Sequence, residues 1–352
     1  MKRKMMLALL ATAASLAAGA ALAQTVYIPE GGGNSVLVVD AATGDTIRPI
    51  DGLEAVHGLS GAPGVAVLVA DSFAEIDRAE AVATEKPAEM AQDQHQAHHA
   101  APAQPIGPTD AGISLLSIID VKTADILRRI EVPGAVHHTA VSPDGRYAVA
   151  THPAGDGISV IDLESYALVA FVPTGPMPNY AVFGADPGVV YVSNTGNGTV
   201  SEVDLARGIV RRNLVAGAGP EHLVIDAKAE RLYAADADAG RVLELALESG
   251  ETLRSFEIGG ALHGLALTED GARLIVAGLG EDKLASVDLA AGTVATVALA
   301  DQPYHVAMVP GTGRLYVSSR AAPKVWIVDA RDLSVVGEVS VADIAHQMVA
   351  LE

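Results

Sequence analysis

Short apolar runs separated by turn residues recur along the whole chain, and they do so with a fixed period. The unit is clearest at Gly260-Ala-Leu-His263-Gly-Leu-Ala-Leu267, and related stretches begin near His57, His137-His138, Asn179-Tyr180, His222, His305 and His346. Each leads into a turn such as Ser142-Pro-Asp-Gly145 or Thr268-Glu-Asp-Gly271, then into an apolar run ending in small or polar residues, as in Tyr316-Val-Ser-Ser319. A further run closes on an acidic residue: Asp40, Asp120, Asp162, Asp204, Asp288 or Asp329. Apolar runs bounded by Gly, Asp, Asn and Pro read as strands joined by tight turns. A repeat of about 42 residues with four short strands in each predicts an all-β chain, a seven-bladed β-propeller with one blade per repeat.

The two ends of the chain complete each other in this scheme. Thr25-Val-Tyr-Ile28, Ser35-Val-Leu-Val-Val-Asp40 and Asp45-Thr-Ile-Arg-Pro-Ile50 read as the second, third and fourth strands of a blade. The missing first strand falls in Ala345-His-Gln-Met-Val-Ala-Leu351, so a blade shared by both ends closes the ring and removes the open sheet edges that invite aggregation. Residues 24–352 are expected to form one domain.

One interval breaks the period. Asp120 follows Asp40 by 80 residues, whereas Asp162 and Asp204 each follow the preceding Asp by 42. About forty extra residues, at about 72–112, therefore sit between the second and third strands of the first complete blade. Within them, Glu85 to Pro105 holds no β-branched residue and no Phe, Tyr or Trp, too little apolar surface to offset ordering entropy, which predicts a mobile loop. Second-to-third loops leave a blade on the side where the first strands begin, so the insertion is expected to overhang the channel mouth.

Composition narrows what such a fold could do. Lys2-Arg3-Lys4, the apolar run from Met5 to Leu22 and the Ala21-Leu-Ala23 site have the three parts of a secretory signal peptide over residues 1–23. No later stretch is apolar enough to span a bilayer, so a protein exported to the periplasm without membrane insertion is expected. The formal net charge of −20 speaks against nucleic acid as a partner and suits a cation. There is no cysteine, which excludes thiolate metal sites, a cysteine nucleophile and covalent haem attachment.

The 11 histidines carry the functional signal. His57, His137, His138, His222, His263, His305 and His346 stand at the starts of first strands, His152 falls in a second-to-third loop, and His95, His98 and His99 lie in the insertion. All are expected on one face. Histidine at such a mouth could simply satisfy backbone groups. Copying of a repeat does not explain the three in the insertion, however, nor the use of two adjacent offsets. His57, His137, His263 and His346 align with Asn179 and Glu221, while His138, His222 and His305 align with Gly58, Tyr180 and Gly264. We therefore expect metal binding at the mouth through His57, His137, His138, His152, His222, His263, His305 and His346, with Asp71 and Asp236 as candidate carboxylate ligands. Imidazole with an occasional carboxylate suits Zn²⁺, and Cu²⁺ less well. Met177, Met308 and Met348 are assigned to packing. Asp93, His95, His98 and His99 form a second candidate, a mobile metal-capture cluster.

The repeats resemble the YVTN-type bacterial seven-bladed propellers, through Val190-Tyr-Val-Ser-Asn194 and Arg314-Leu-Tyr-Val-Ser318. With the signal peptide, the mouth histidines and the Glu/Asp/His-rich insertion, the chain resembles the AztD-type periplasmic zinc metallochaperones. That resemblance implies a zinc site in the propeller and delivery of zinc to the solute-binding protein of an ABC zinc importer, with the insertion active in capture or transfer. It implies a protein that is not an enzyme; a monomer is expected. The alternatives are a metal-dependent, lactonase-like propeller hydrolase and a protein-interaction scaffold.

Overall fold

The computed structural model describes residues 24–76 and 106–351. The signal-peptide stretch 1–23 and the insertion residues Asp93, His95, His98 and His99 lie outside the described residues.

Seven four-stranded antiparallel sheets form the described chain, which is the seven-bladed β-propeller that the repeats predict. One sheet joins Val349–Leu351 to Thr25–Glu30, Ser35–Asp40 and Thr46–Ile50, so both ends of the chain share a blade. The first strands of the seven blades are Leu59–Ser60, Thr139–Val141, Pro178–Phe183, Pro220–Asp226, Leu265–Leu267, Pro303–Val309 and Val349–Leu351. They contact one another in sequence around a central channel.

Apolar packing between blades holds the ring. Seven clusters of buried residues are present, each drawn from two neighbouring blades. The ring-closing cluster sets Val26 and Ile28 of the shared blade against Tyr316 and Ile327 of the preceding one. The second and third strands are buried almost throughout, as in Val189–Asn194 and Thr199–Asp204, while fourth strands such as Thr293–Ala298 face solvent. Burying two faces takes a near-continuous apolar run, which is why the inner strands read as Val, Ile and Leu.

The repeated Asp at the end of six of the seven third strands has a local cause. Its Oδ1 accepts backbone N–H groups of the following turn: Ala42 and Thr43 at Asp40, Lys122 and Thr123 at Asp120, Ala290 and Ala291 at Asp288. Such side-chain caps favour Asp at the start of a turn. The acid is therefore part of the hairpin and takes no part in the mouth.

The expected insertion falls between the strands Val67–Ala70 and Ile113–Asp120. Its two roots are clamped by a bridge between Ile76 and Ile113 and by the Glu75 carboxylate, which accepts the Gly112 N–H. Phe73, in the outgoing root, lies 5.5 Å from His57, ring centre to ring centre, so the insertion does begin at the channel mouth.

Candidate metal centre

Two adjacent residues of every repeat face the channel, which an extended strand with alternating side chains would not allow. In three blades the pairing register shifts at this point, between Pro178 and Ala181, Pro220 and Leu223, and Pro303 and Val306. A β-bulge leaves the extra residue unpaired and turns it to the same side. The bulges contain Asn179-Tyr180, Glu221-His222 and Tyr304-His305. In the blades that carry His57, His137 and His263 the ladder begins only after the pair. The two offsets seen in the sequence are thus two tiers of one channel.

The outer tier is His57, His137, Asn179, Glu221, His263, Tyr304 and His346. All seven line a well of about 580 Å³ that opens at the mouth. The inner tier is Gly58, His138, Tyr180, His222, Gly264, His305 and Gln347. Of these, Tyr180 and Gln347 also line a second cavity of about 370 Å³, walled by apolar first-strand residues such as Leu59, Val141, Leu223 and Leu265. The inner tier therefore separates a polar well from an apolar space.

A recurring device fixes the inner tier. A side chain late in the second strand, or just after it in the case of Asp71, accepts its backbone N–H: Asp71 at Gly58, Thr151 at His138, Ser193 at Tyr180 and Ser318 at His305. The two glycines leave space for their neighbours. A Cβ on Gly58 would lie 2.9 Å from the His138 Cα, and one on Gly264 would lie 2.4 Å from the Tyr304 carbonyl oxygen.

Hydrogen bonds then determine which ring nitrogen is free. Nδ1–H of His57 donates to the His137 carbonyl at 2.6 Å, Nδ1–H of His138 to the Asn179 carbonyl at 2.9 Å, and Nδ1–H of His263 to Glu221 Oε2 at 2.8 Å. A carbonyl only accepts, so the proton sits on Nδ1 and the lone pair is left on Nε2. Nε2 of His138, His222, His263 and His305 is buried without a partner, as are Nδ1 of His137 and Nδ1 of His346. Buried polar atoms are nearly always satisfied, and so many orphaned nitrogens in one channel call for something to satisfy them.

Two triads bring such nitrogens together. His57, His137 and His138 form one, and His138, His222 and His305 form the other, with ligand atoms within 4.8 Å of one another in each. Tetrahedral zinc with bonds of about 2.1 Å holds nitrogens roughly 3.4 Å apart, a contraction that side-chain rotation can supply. His138 belongs to both triads. An Nδ1–H held by a carbonyl or carboxylate while Nε2 faces inward is the arrangement that orients metal-binding histidines elsewhere.

Charge state agrees with that reading. Burial holds His57, His138, His222, His263 and His305 well below the ordinary imidazole value, helped in each by neighbouring histidines. Burial also lowers His137, and takes His346 down to about 4. Neutral imidazoles are what a metal requires.

Three expectations need correction. His152 does not join the cluster: its Nδ1–H donates to the Ala135 carbonyl at 3.2 Å and its Nε2 accepts from Ser159 Oγ at 2.8 Å, which uses both nitrogens inside its own blade. Its counterparts in other repeats, Asn194, Asp236 and Ser319, are also tied into blade corners. Asp236 is committed to the Ala218 and Gly219 N–H groups and to Arg241, and Asp71 accepts the N–H groups of His57 and Gly58 on Oδ1 while its Oδ2 is buried without a partner; neither carboxylate lines the well or joins a triad. Burial pushes the Asp71 carboxyl well above its ordinary value.

The sequence reading missed Glu221, Tyr304, Arg320 and Phe73. Glu221 and Tyr304 share the outer-tier offset with four histidines and could have been found there. Arg320 and Phe73 lie in loops, where the repeat carries no information.

No family model matches the chain, and no curated protein matches it. Solved structures do. The periplasmic gluconolactonase of Pseudomonas aeruginosa aligns with a TM-score of 0.69 at 16% identity, over 94% of this chain and 99% of that one. A structure assigned as a 6-phosphogluconolactonase from Bacteroides uniformis gives 0.69 at 14%, over 93% and 99%. The hydrazine synthase of Kuenenia stuttgartiensis gives 0.67 at 15%, over 88% and 93%. At such identities the likeness is one of fold. The chain is a seven-bladed β-propeller with, among the described residues, two groups of histidines that could hold a metal ion. The expectation that it is not an enzyme does not stand, because the propellers it is similar to are named as enzymes. Among the described residues no helix is long and apolar enough to cross a membrane.

Proposed function

We propose that the protein is a periplasmic zinc-binding metallochaperone: it takes up Zn²⁺ in the histidine channel and delivers it to the solute-binding protein of an ABC zinc importer. The observation that carries this reading is the set of buried, neutral imidazoles with free lone pairs, converging from six blades on one channel. Zinc accepts three or four such ligands, while Cu⁺ would favour sulfur, which neither histidine triad contains. Asp93, His95, His98 and His99 would serve as the capture cluster. The resident site is tested by zinc content after purification and by the melting temperature, which a ligand bound only to the folded state must raise. A metal-free protein whose melting point does not move in saturating zinc would overturn it. Delivery is tested by mixing zinc-loaded protein with the solute-binding protein, and changing His95, His98 and His99 to Ala should slow that transfer.

A second reading, a metal-dependent lactonase-like hydrolase, is favoured by the open well above the histidines and by the gluconolactonase among the structural neighbours. Ring opening of a sugar lactone by the zinc-loaded protein, followed over many turnovers, separates hydrolysis from stoichiometric delivery.

A further inference from the structure

Arg320 is not used by any of the histidine chemistry. It follows the strand Arg314–Ser319 and stands at the rim of the well, with Nη1 donating to Tyr304 Oη at 2.9 Å and its guanidinium carbon 4.8 Å from the centre of the Tyr304 ring. These contacts aim the side chain. They use one of the five N–H donors that a guanidinium carries. Arg146, Arg211, Arg241 and Arg254 each meet a carboxylate, whereas no ion pair of Arg320 is found among the described residues.

A guanidinium at this place works against a bare cation. It acts electrostatically on His137, His263 and His346, the same imidazoles that face the well. The carboxylates lining the well are Glu221 and Asp238. A divalent ion together with Arg320 carries three positive charges, one more than those two acids supply, so one monoanion would balance the site. Size and polarity describe that anion further. The well's volume of about 580 Å³ is that of a small-molecule site. Asn179 Oδ1 is buried there without a donor, and Phe73, 52% exposed, offers an apolar face beside His57.

We propose that the well is a subsite for a small hydroxycarboxylic acid, its carboxylate held by the Arg320 fork and a hydroxyl donating to Asn179, bound above the histidine floor. The charge count rests on the metal reading; the cavity and the free guanidinium do not. The anion then enters as a co-ligand of the metal site and leaves with, or ahead of, the ion.

Gluconate is a suitable probe and sorbitol its uncharged control, titrated calorimetrically into the full processed chain with and without zinc. Gluconate should bind saturably, more tightly to the zinc-loaded protein, and sorbitol should not. Arg320→Gln should weaken gluconate by roughly tenfold or more, the effect of losing a charge-assisted bidentate contact, with zinc stoichiometry unchanged. Arg320 is exposed, so the replacement leaves the fold intact. Equal gluconate affinity in the two proteins, or no saturable gluconate binding, would overturn the proposal. A protein that takes up no zinc fails the metal reading by its own assay, and the metal-free titration still decides the Arg320 subsite.

Discussion

The outer and inner tiers of the channel are made from neighbouring residues of the same repeats, yet they differ in almost every physical respect. The outer tier mixes His57, His137, His263 and His346 with Asn179, Glu221 and Tyr304 around an open well. The inner tier sets His138, His222 and His305 among Gly58, Gly264, Tyr180 and Gln347, and its three histidines are 0%, 3% and 2% exposed. Variety suits a surface that must receive something. The sealed inner triad suits retention, since a closed three-imidazole site exchanges ligands slowly. The comparison teaches that histidine count alone says little: the tier an imidazole occupies decides whether it lines the open well.

The largest effect expected is on stability as pH falls, because it draws on both tiers together. Burial has lowered these imidazole pKa values, so below about pH 6.5 the unfolded chain binds more protons than the folded one, and stability is lost as pH falls through that range. His346, at about 4, alone contributes on the order of 2 kcal/mol of loss by pH 5, and the five more strongly shifted mouth histidines act in the same direction. Melting curves of the metal-free protein between pH 8 and pH 5 should show a steep decline, and a flat profile would mean that the imidazoles are hydrated and the tiers alike.

Next in size is His138→Ala. His138 is common to both triads, so its loss should weaken zinc by about 100-fold or more, beyond what outer-shell changes produce. Competition against a chromogenic chelator reads this, and a variant that binds zinc as tightly as the parent would place the ion elsewhere. The contrast is His152→Ala, which should cost about 1–3 kcal/mol by stranding the buried Ser159 hydroxyl and opening a cavity. Chemical denaturation measures that loss, and zinc affinity should stay unchanged.

The smallest effect sharpens the outer tier. Glu221→Gln keeps the shape and removes the charge that His263 Nδ1–H faces, and should lower zinc affinity by about tenfold, at the low end of such orienting contacts. No change would assign His263 to channel packing.

The blades were legible because each repeat states them again: a shift of register in one copy is corrected by the others, and even the shared terminal blade follows from counting first strands. The mouth was legible for the same reason. His152 was misplaced because its repeat equivalents Asn194, Asp236 and Ser319 are polar for an internal purpose, a corner tie that looks from sequence like a ligand position. Arg320 and Phe73 were invisible since loop residues carry no period, and their meeting with the histidines depends on how chain segments far apart in sequence come together. The tier structure itself hung on bulges, which alternation cannot reveal.

Closure of the ring by Val349–Leu351 also sets a time. His346 and Gln347 come directly before that last strand, and the tiers draw one pair of residues from each of seven segments spread over nearly the whole chain. Contacts so distant in sequence form late, after the loop-closure entropy between them has been met. During synthesis, no chain that stops short of this strand contains both complete tiers. The channel is complete only when Val349–Leu351 pairs with Thr25–Glu30. A chain shortened by a dozen residues at its carboxyl end loses His346, Gln347 and the closing strand, and should melt at a lower temperature while keeping most of its blades.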